Sequence, residues 1–341
     1  MKVRSKAPLR LGIAGGGTDV SPYSEVYGGC VLNATINMYA NTFIDDDVNQ
    51  GHVKFYAKDI GISDSIDITE DFSVEGPLVL HRAVYKTIME EYNNGEYLPL
   101  NVITFCDAPP GSGLGSSSSM VVSMLECYRQ LMNLPFGEYD LASLAYHVER
   151  VVCCLSGGKQ DQYAATFGGF NFMEFSKDDH VIVNPLRIRR HIINELEASL
   201  VLVYLGASRD SAKIINDQIG SIRDAGKSLK AMHKVKSTAL LIKALLLQGD
   251  IASLAKEFKL SWEAKKATSK SISNQMISNL ENHVLDGHAI SMKVSGAGGG
   301  GFVMIFVEPE FRIELLKQIE DLGLTIQPFN FVSDGVISWT I

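Results

Sequence analysis

Pro109-Pro110-Gly111-Ser112-Gly113-Leu114-Gly115-Ser116-Ser117-Ser118-Ser119 is the stretch on which the fold turns. It follows NVITFC, Asn101 to Cys106, whose β-branched and aromatic residues predict a strand. It runs into SSSSMVVSMLECYRQLM, whose apolar spacing predicts a helix that begins on its serines. Serine hydroxyls suit that position because they satisfy backbone N–H groups left free in the first helical turn. The glycines let the backbone approach a ligand closely, and the helix start offers N–H donors and a positive dipole end suited to phosphate. Taken alone, the same residues also make a tight strand-to-helix turn with serine caps. Two better-known phosphate loops are excluded. A Walker loop needs lysine after its last glycine, and Gly115 is followed by Ser116. A dinucleotide GxGxxG begun at Gly111 or Gly113 needs glycine at 116 or 118, and both positions are serine.

Working outward, two further glycine-rich segments lie near the ends of the chain. Pro8 to Asp19, PLRLGIAGGGTD, joins an arginine, a flexible turn and an acid. Gly16, Gly17 and Thr18 allow close passage around a polyhydroxylated substrate, with Asp19 accepting its hydroxyl protons; a structural hairpin is the competing reading. Lys293 to Phe302, KVSGAGGGGF, sets four consecutive glycines between apolar strands. That run is entropically costly unless close backbone packing or ligand approach at Gly298 and Gly299 requires it.

The rest of the chain predicts an α+β protein. Helices are expected over Leu78 to Tyr92, from about Glu138 to Cys154, and through long patterns reaching about Asn282, with a break near Gly249 and Asp250. Strands are expected in CVLNATINMYANTFI, KFYAKD, SIDIT, GFNFMEF, HVIVNPL and ASLVLVYLG, in AISMKV and GFVMIFV around the last glycine turn, and in the terminal VISWTI. At 341 residues the chain is long enough for two domains, 1–190 and 191–341.

Composition narrows the function classes. There are 31 basic and 39 acidic residues, a formal charge of -8, which gives no general attraction to nucleic acid or to an anionic membrane. No run of about twenty apolar residues is present to span a bilayer, and proline and glycines interrupt the first residues before any signal-like segment. The five cysteines, Cys30, Cys106, Cys127, Cys153 and Cys154, show neither paired disulfide spacing nor a CxxC metal signature. Free thiols in a reducing, cytoplasmic compartment are expected. The residues leave monomer and homodimer both open.

Together, PLRLGIAGGGTD, PPGSGLGSSSS and KVSGAGGGGF resemble the three motifs of the GHMP kinases, in order and across nearly the whole chain. The resemblance implies a two-domain fold, an N-terminal ribosomal protein S5-like domain and a C-terminal ferredoxin-like domain with helical additions. It implies ATP and Mg²⁺ as cofactors, with the phosphates against Pro110, Gly111, Ser112, Gly113, Leu114, Gly115, Ser116, Ser117 and Ser118. It also implies Ser117 and Glu149 at the metal, and Asp161 facing the acceptor hydroxyl as base or orienting group. Arg10 would stabilise that acid and the incoming charge, with Lys159 as a second cation. Ser119 and Met120 depart mildly from the small residues common in relatives.

Segments Pro8 to Ala40, Ser156 to Phe175 and Tyr204 to Ala212 further resemble the bacterial heptose phosphate kinases and related sugar 1-kinases. This implies transfer to the anomeric hydroxyl of D-glycero-D-manno-heptose 7-phosphate, as part of nucleotide-activated heptose synthesis for surface glycans. The partner expected is thus a small sugar phosphate. Arg209 is the leading contact for the distal phosphate, with Lys213 behind it and Ser208 beside it or capping the helix. A fucose-like sugar 1-kinase and a sugar-phosphate-binding protein without turnover are the alternatives.

Overall fold

The structure, a computed structural model, describes residues 1–46, 51–178, 180–206, 211–223 and 226–341. Its first sheet contains β1 (Lys2–Ala14), β2 (Gly29–Asp45), β3 (His52–Ala57), β4 (Ile62–Asp67), β5 (Asn101–Cys106), β6 (Phe170–Phe175) and β7 (Val181–Pro185). The second contains β8 (Leu200–Tyr204), β9 (Ala289–Val294), β10 (Phe302–Val307) and β11 (Thr325–Ile326), and β12 (Ile337–Thr340) ends the chain. The helices are α1 (Tyr23–Tyr27), α2 (Val79–Tyr92), α3 (Ser116–Met132), α4 (Glu138–His147), α5 (Gln160–Phe167) and α6 (Arg190–Ser199) in the first part. They continue with α7 (Ser211–Arg223), α8 (Lys227–Gln248), α9 (Ile251–Lys266), α10 (Gln275–Leu285) and α11 (Arg312–Asp321).

The first sheet runs β12-β1-β2-β5-β3-β4, with β6 and β7 continuing from the other half of the long β2. All its pairs are antiparallel except β3 with β5. The second sheet runs β11-β8-β10-β9. Numbered along the chain these four strands lie in the order 4-1-3-2, with helices between the first and second and between the third and fourth, the ferredoxin-like arrangement.

Residue alternation explains how this second sheet is covered on both sides. In β8, Leu200 and Leu202 point to one core, while Val201 and Val203 point to another. In β10, Phe302, Met304 and Phe306 alternate in the same way with Val303, Ile305 and Val307. One face packs on α10 and α11 through Ile277, Leu280, Leu315 and Ile319. The other shares a continuous core with Leu9, Leu11, Leu32 and Phe170 of the first sheet and with Ile242 and Phe258 of α8 and α9. A third core lies under α2, α3 and α4.

The proposed division at 190/191 cuts α6 after its first residue, beyond β7 and before β8. The assignment of everything beyond it to the second unit is corrected at the C-terminus. There β12 pairs antiparallel with β1, Val3 opposite Thr340 and Lys6 opposite Ile337, and so closes the edge of the first sheet. The break expected near Gly249 and Asp250 is present, whereas the start of α10 is one that the sequence patterns did not mark. Helix α9 begins on Asp250, which accepts from the Ser253 N–H, and α10 begins on Asn274, which accepts from the Ile277 N–H. No helix among the described residues is long and apolar enough to cross a membrane.

Candidate active site

Arg10 is where the three glycine-rich segments meet. It sits in β1, almost fully buried, and its backbone N–H donates to the Leu114 carbonyl at 3.0 Å. Its Nη1 donates to the Gly113 carbonyl at 2.6 Å and reaches Ser295 Oγ at 3.4 Å. Ser295 Oγ donates to the same Gly113 carbonyl at 2.9 Å, and the Phe302 N–H donates to the Ser112 carbonyl at 2.9 Å. The phosphate-loop candidate is therefore clamped between the first strand and the last glycine turn. Gly113 has φ +77°, and a Cβ built there would lie 2.5 Å from the Ser295 carbonyl oxygen. Gly113→Ala is expected to cost more than the roughly 1–2 kcal/mol of a left-handed backbone, because the clash adds to it. A thermal melt that matches wild type would show that the clamp is looser than this.

The remaining side chain of Arg10 holds Asp161. Nε at 2.8 Å and Nη2 at 2.7 Å both approach Oδ1, which leaves Oδ2 beside Gly115 at the start of α3. Asp161 is in the first turn of α5, so helix geometry and the arginine together fix its carboxylate at the mouth of the loop. The neighbouring Glu149 is fully buried within a single π-helical turn, Val148–Val152, which continues α4. This turn occupies part of the region read as one helix to Cys154. Glu149 accepts from Ser117 Oγ at 3.0 Å, from Ser118 Oγ at 2.6 Å and from Gln162 Nε2.

Arg10, Asp161 and Ser117 border one cavity of about 410 Å³, within the usual size of a small-ligand site, and Glu149 is buried behind Ser117. One arm is mainly apolar, with Ile60, Leu80, Ala108 and Met120 around His81 and Thr104. His81 Nε2 lies 2.7 Å from Thr104 Oγ1, and burial pushes the imidazole down to about 4, so it is neutral at pH 7. The middle is formed by Pro110, Gly111, Gly113, Gly115, Ser116 and Ser117, facing Arg10 and Asp161. The far arm is polar, with Asp19, Gln160, Gln218, Lys265 and Arg150.

Several sequence candidates are displaced from this lining. Ser112 and Leu114 are fully buried and point into the protein, while Ser118 serves Glu149. Thr18 Oγ1 accepts the Cys30 N–H and lies 2.8 and 2.9 Å from the Gly15 and Cys30 carbonyls, which share its one hydrogen, so it braces the first turn instead of facing the cavity. Gly298 and Gly299 pack on the Ile272 turn. A Cβ at Gly298 would meet the Ile272 carbonyl at 2.7 Å, and the Gly299 N–H donates to it at 2.9 Å. Gly296 and Ala297 are the residues of that turn on the cavity. Lys159 precedes α5 with its ammonium 5.2 Å from the Tyr146 ring centre, outside the lining. Lys213 is exposed on α7, whose cavity-facing residues are Ser211, Ala212, Ile215 and Gln218. Ser208 and Arg209 lie outside the described residues.

The sequence reading missed Arg150, Gln160, Gln162, Gln218 and Lys265. Gln160 and Gln162 flank Asp161 in a segment already singled out, and that adjacency was the available signal. Lys265 lies in an ordinary lysine pair at the end of a helix and carries no local signature. All five cysteines are free, and burial pushes the thiols of Cys106 and Cys127 up to about 12, which suppresses thiolate chemistry there.

The geometry has counterparts among known proteins. A model of the GHMP kinases N terminal domain matches residues 79–169. A D-glycero-alpha-D-manno-heptose 7-phosphate kinase of Campylobacter jejuni is 41% identical over 340 residues, 99% of each chain. The chain belongs to the GHMP kinase superfamily. A crystal structure of a D-glycero-D-manno-heptose 1-phosphate kinase from Bacteroides thetaiotaomicron superposes on this GHMP kinase with a TM-score of 0.84. It is 41% identical and is matched over 99% of both chains. A bifunctional fucokinase/GDP-fucose pyrophosphorylase of Arabidopsis thaliana is 25% identical over 93% of this chain, a match covering 31% of that larger protein.

Proposed function

We propose that this kinase transfers the terminal phosphoryl group of ATP to the anomeric C1 hydroxyl of D-glycero-D-manno-heptose 7-phosphate, giving the 1,7-bisphosphate for nucleotide-activated heptose synthesis. The observation that carries the reading is the Arg10-fixed carboxylate of Asp161 between the glycine loop and a polar pocket. Phosphoryl transfer needs little covalent help from the protein. It needs an acceptor oxygen aligned with the phosphorus, and charge stabilisation around it. In this assignment the loop N–H groups and the start of α3 hold the phosphates, and the apolar arm takes the base. Asp161 accepts or orients the acceptor proton, and Arg10 keeps its carboxylate in place.

The donors present fit Mg²⁺. Ser117 and the buried Glu149 present hard oxygens 3.0 Å apart at the loop. When bound, the ion neutralises phosphate charge.

Support for the sugar comes from the relatives that match over the whole chain. Their names place the existing phosphate differently, at position 7 in one and position 1 in the other. An acceptor screen with heptose 7-phosphate, heptose 1-phosphate, free heptose and fucose, followed by NMR location of the new phosphate, separates these chemistries. Selective turnover of heptose 7-phosphate with phosphate appearing on C1 is expected. Preference for heptose 1-phosphate would reverse the acceptor hydroxyl, and preference for fucose would replace the substrate class.

A further inference from the structure

Lys265 is the penultimate residue of α9, with 4% of its surface exposed, and it borders the polar arm of the cavity. Its Nζ donates to the Gly16 carbonyl at 2.8 Å. A Cβ built on Gly17 would lie 2.9 Å from this Nζ and 3.1 Å from Gln218 Nε2, so the ammonium and the amide converge above Gly17. Asp19, in the same turn, is itself 1% exposed and borders the same cavity. It accepts from the Gly17 N–H at 3.0 Å and from the Gln160 N–H and side-chain amide at 3.1 and 3.2 Å.

We propose that Lys265 is a specificity-determining residue of the acceptor subsite, its ammonium and the Asp19 carboxylate gripping one hydroxyl of the sugar from two sides. The inference rests on the kinase reading above and adds a residue that no motif supplies. A sugar hydroxyl both donates and accepts. Asp19 takes the hydroxyl proton, and Lys265 donates to the hydroxyl oxygen. Among the described residues the Gly16 carbonyl uses one of the three ammonium hydrogens, which leaves donors for a ligand. Bracing the first motif does not require this second buried cation. Lys293 already donates to the Gly12 and Ile13 carbonyls at 3.0 and 2.7 Å from behind. The adjoining carboxylate also argues for a hydroxyl over a phosphate dianion, which Asp19 would repel.

The charges around Lys265 set a distinctive pH signature. Desolvation lowers its ammonium to about 8, Asp19 opposing and Arg10 adding to the shift. Lys293 is lowered to about 7, by desolvation first and then by Lys265 and Arg10. Asp161 is held on Arg10. A clamp that needs the charged form is complete below pH 8 and is lost above it. With wild-type enzyme the acceptor KM should therefore rise toward tenfold per pH unit above about 8, while the ATP KM stays flat.

Lys265→Met should raise the acceptor KM at pH 7 by at least tenfold, with the ATP KM unchanged, and should abolish this pH dependence. The loss should be equal for heptose 7-phosphate and for free heptose, the latter measured as acceptor or competitive inhibitor. A loss confined to heptose 7-phosphate would overturn the hydroxyl clamp and make Lys265 a distal-phosphate contact. An acceptor KM left at the wild-type value by Lys265→Met at pH 7 would overturn the proposal. Failure of the wild-type enzyme to use any heptose would instead remove the substrate reading on which the clamp rests.

Discussion

Asp161→Asn is expected to slow phosphoryl transfer by about 10²- to 10⁴-fold, the usual range for losing a positioned acid or base, and to leave ATP affinity nearly unchanged. The reason lies in which oxygen is used. Two Arg10 nitrogens converge on Oδ1. In asparagine the single remaining oxygen is drawn to that arginine, so the amide N–H₂ takes the place of Oδ2 beside Gly115. An acceptor hydroxyl then meets a donor where it had met a carboxylate. Proton acceptance and orientation are lost together, while the glycine loop proposed to hold the phosphates keeps its bonds to Arg10 and Ser295. Single-turnover kinetics with saturating ATP and sugar isolates this step. Transfer at the wild-type rate would remove both roles from Asp161, and a large rise in ATP Kd would place the residue in nucleotide binding instead.

The glycine loop, its strand and its serine-started helix were legible because turn, strand and helix signals there are local and agree. The same holds for β9, the final glycine turn and β10, whose function in the fold is close backbone packing against the first loop. Side-chain direction was less accessible. Alternate residues of the loop, Ser112 and Leu114, turn into the protein while Gly113 and Gly115 face the cavity. Nothing in composition separates the two sets. The polar arm of the cavity was hardest to read because its parts come from distant segments. Asp19, Gln160, Gln218 and Lys265 are brought together only when α5, α7 and α9 dock around the first glycine turn. The same non-local pairing hid the return of β12 to β1, since a terminal apolar strand does not state which edge it will close.

Glu149→Gln is expected to raise the Mg²⁺ concentration needed for half-maximal activity by at least tenfold and to lower turnover at saturating ATP. Glu149 is fully buried and receives Ser117, Ser118 and Gln162, so its two oxygens meet donors from two helices. Glutamine has almost the same shape but brings its own N–H₂ into a ring of donors. One buried donor then goes unpaired, at a cost of about 1–3 kcal/mol in stability. That cost is the same with and without metal, whereas loss of a charged oxygen beside Ser117 appears only in the Mg²⁺ titration. Ser117→Ala separates the two contributions further, because it removes a hydroxyl oxygen and leaves the Glu149 charge in place. It should raise the Mg²⁺ requirement with a smaller loss of stability than the glutamine variant. If Glu149→Gln melts earlier yet keeps the wild-type Mg²⁺ dependence and turnover, the carboxylate only ties α3 to α5, and the metal must draw its protein oxygens from elsewhere in the cavity.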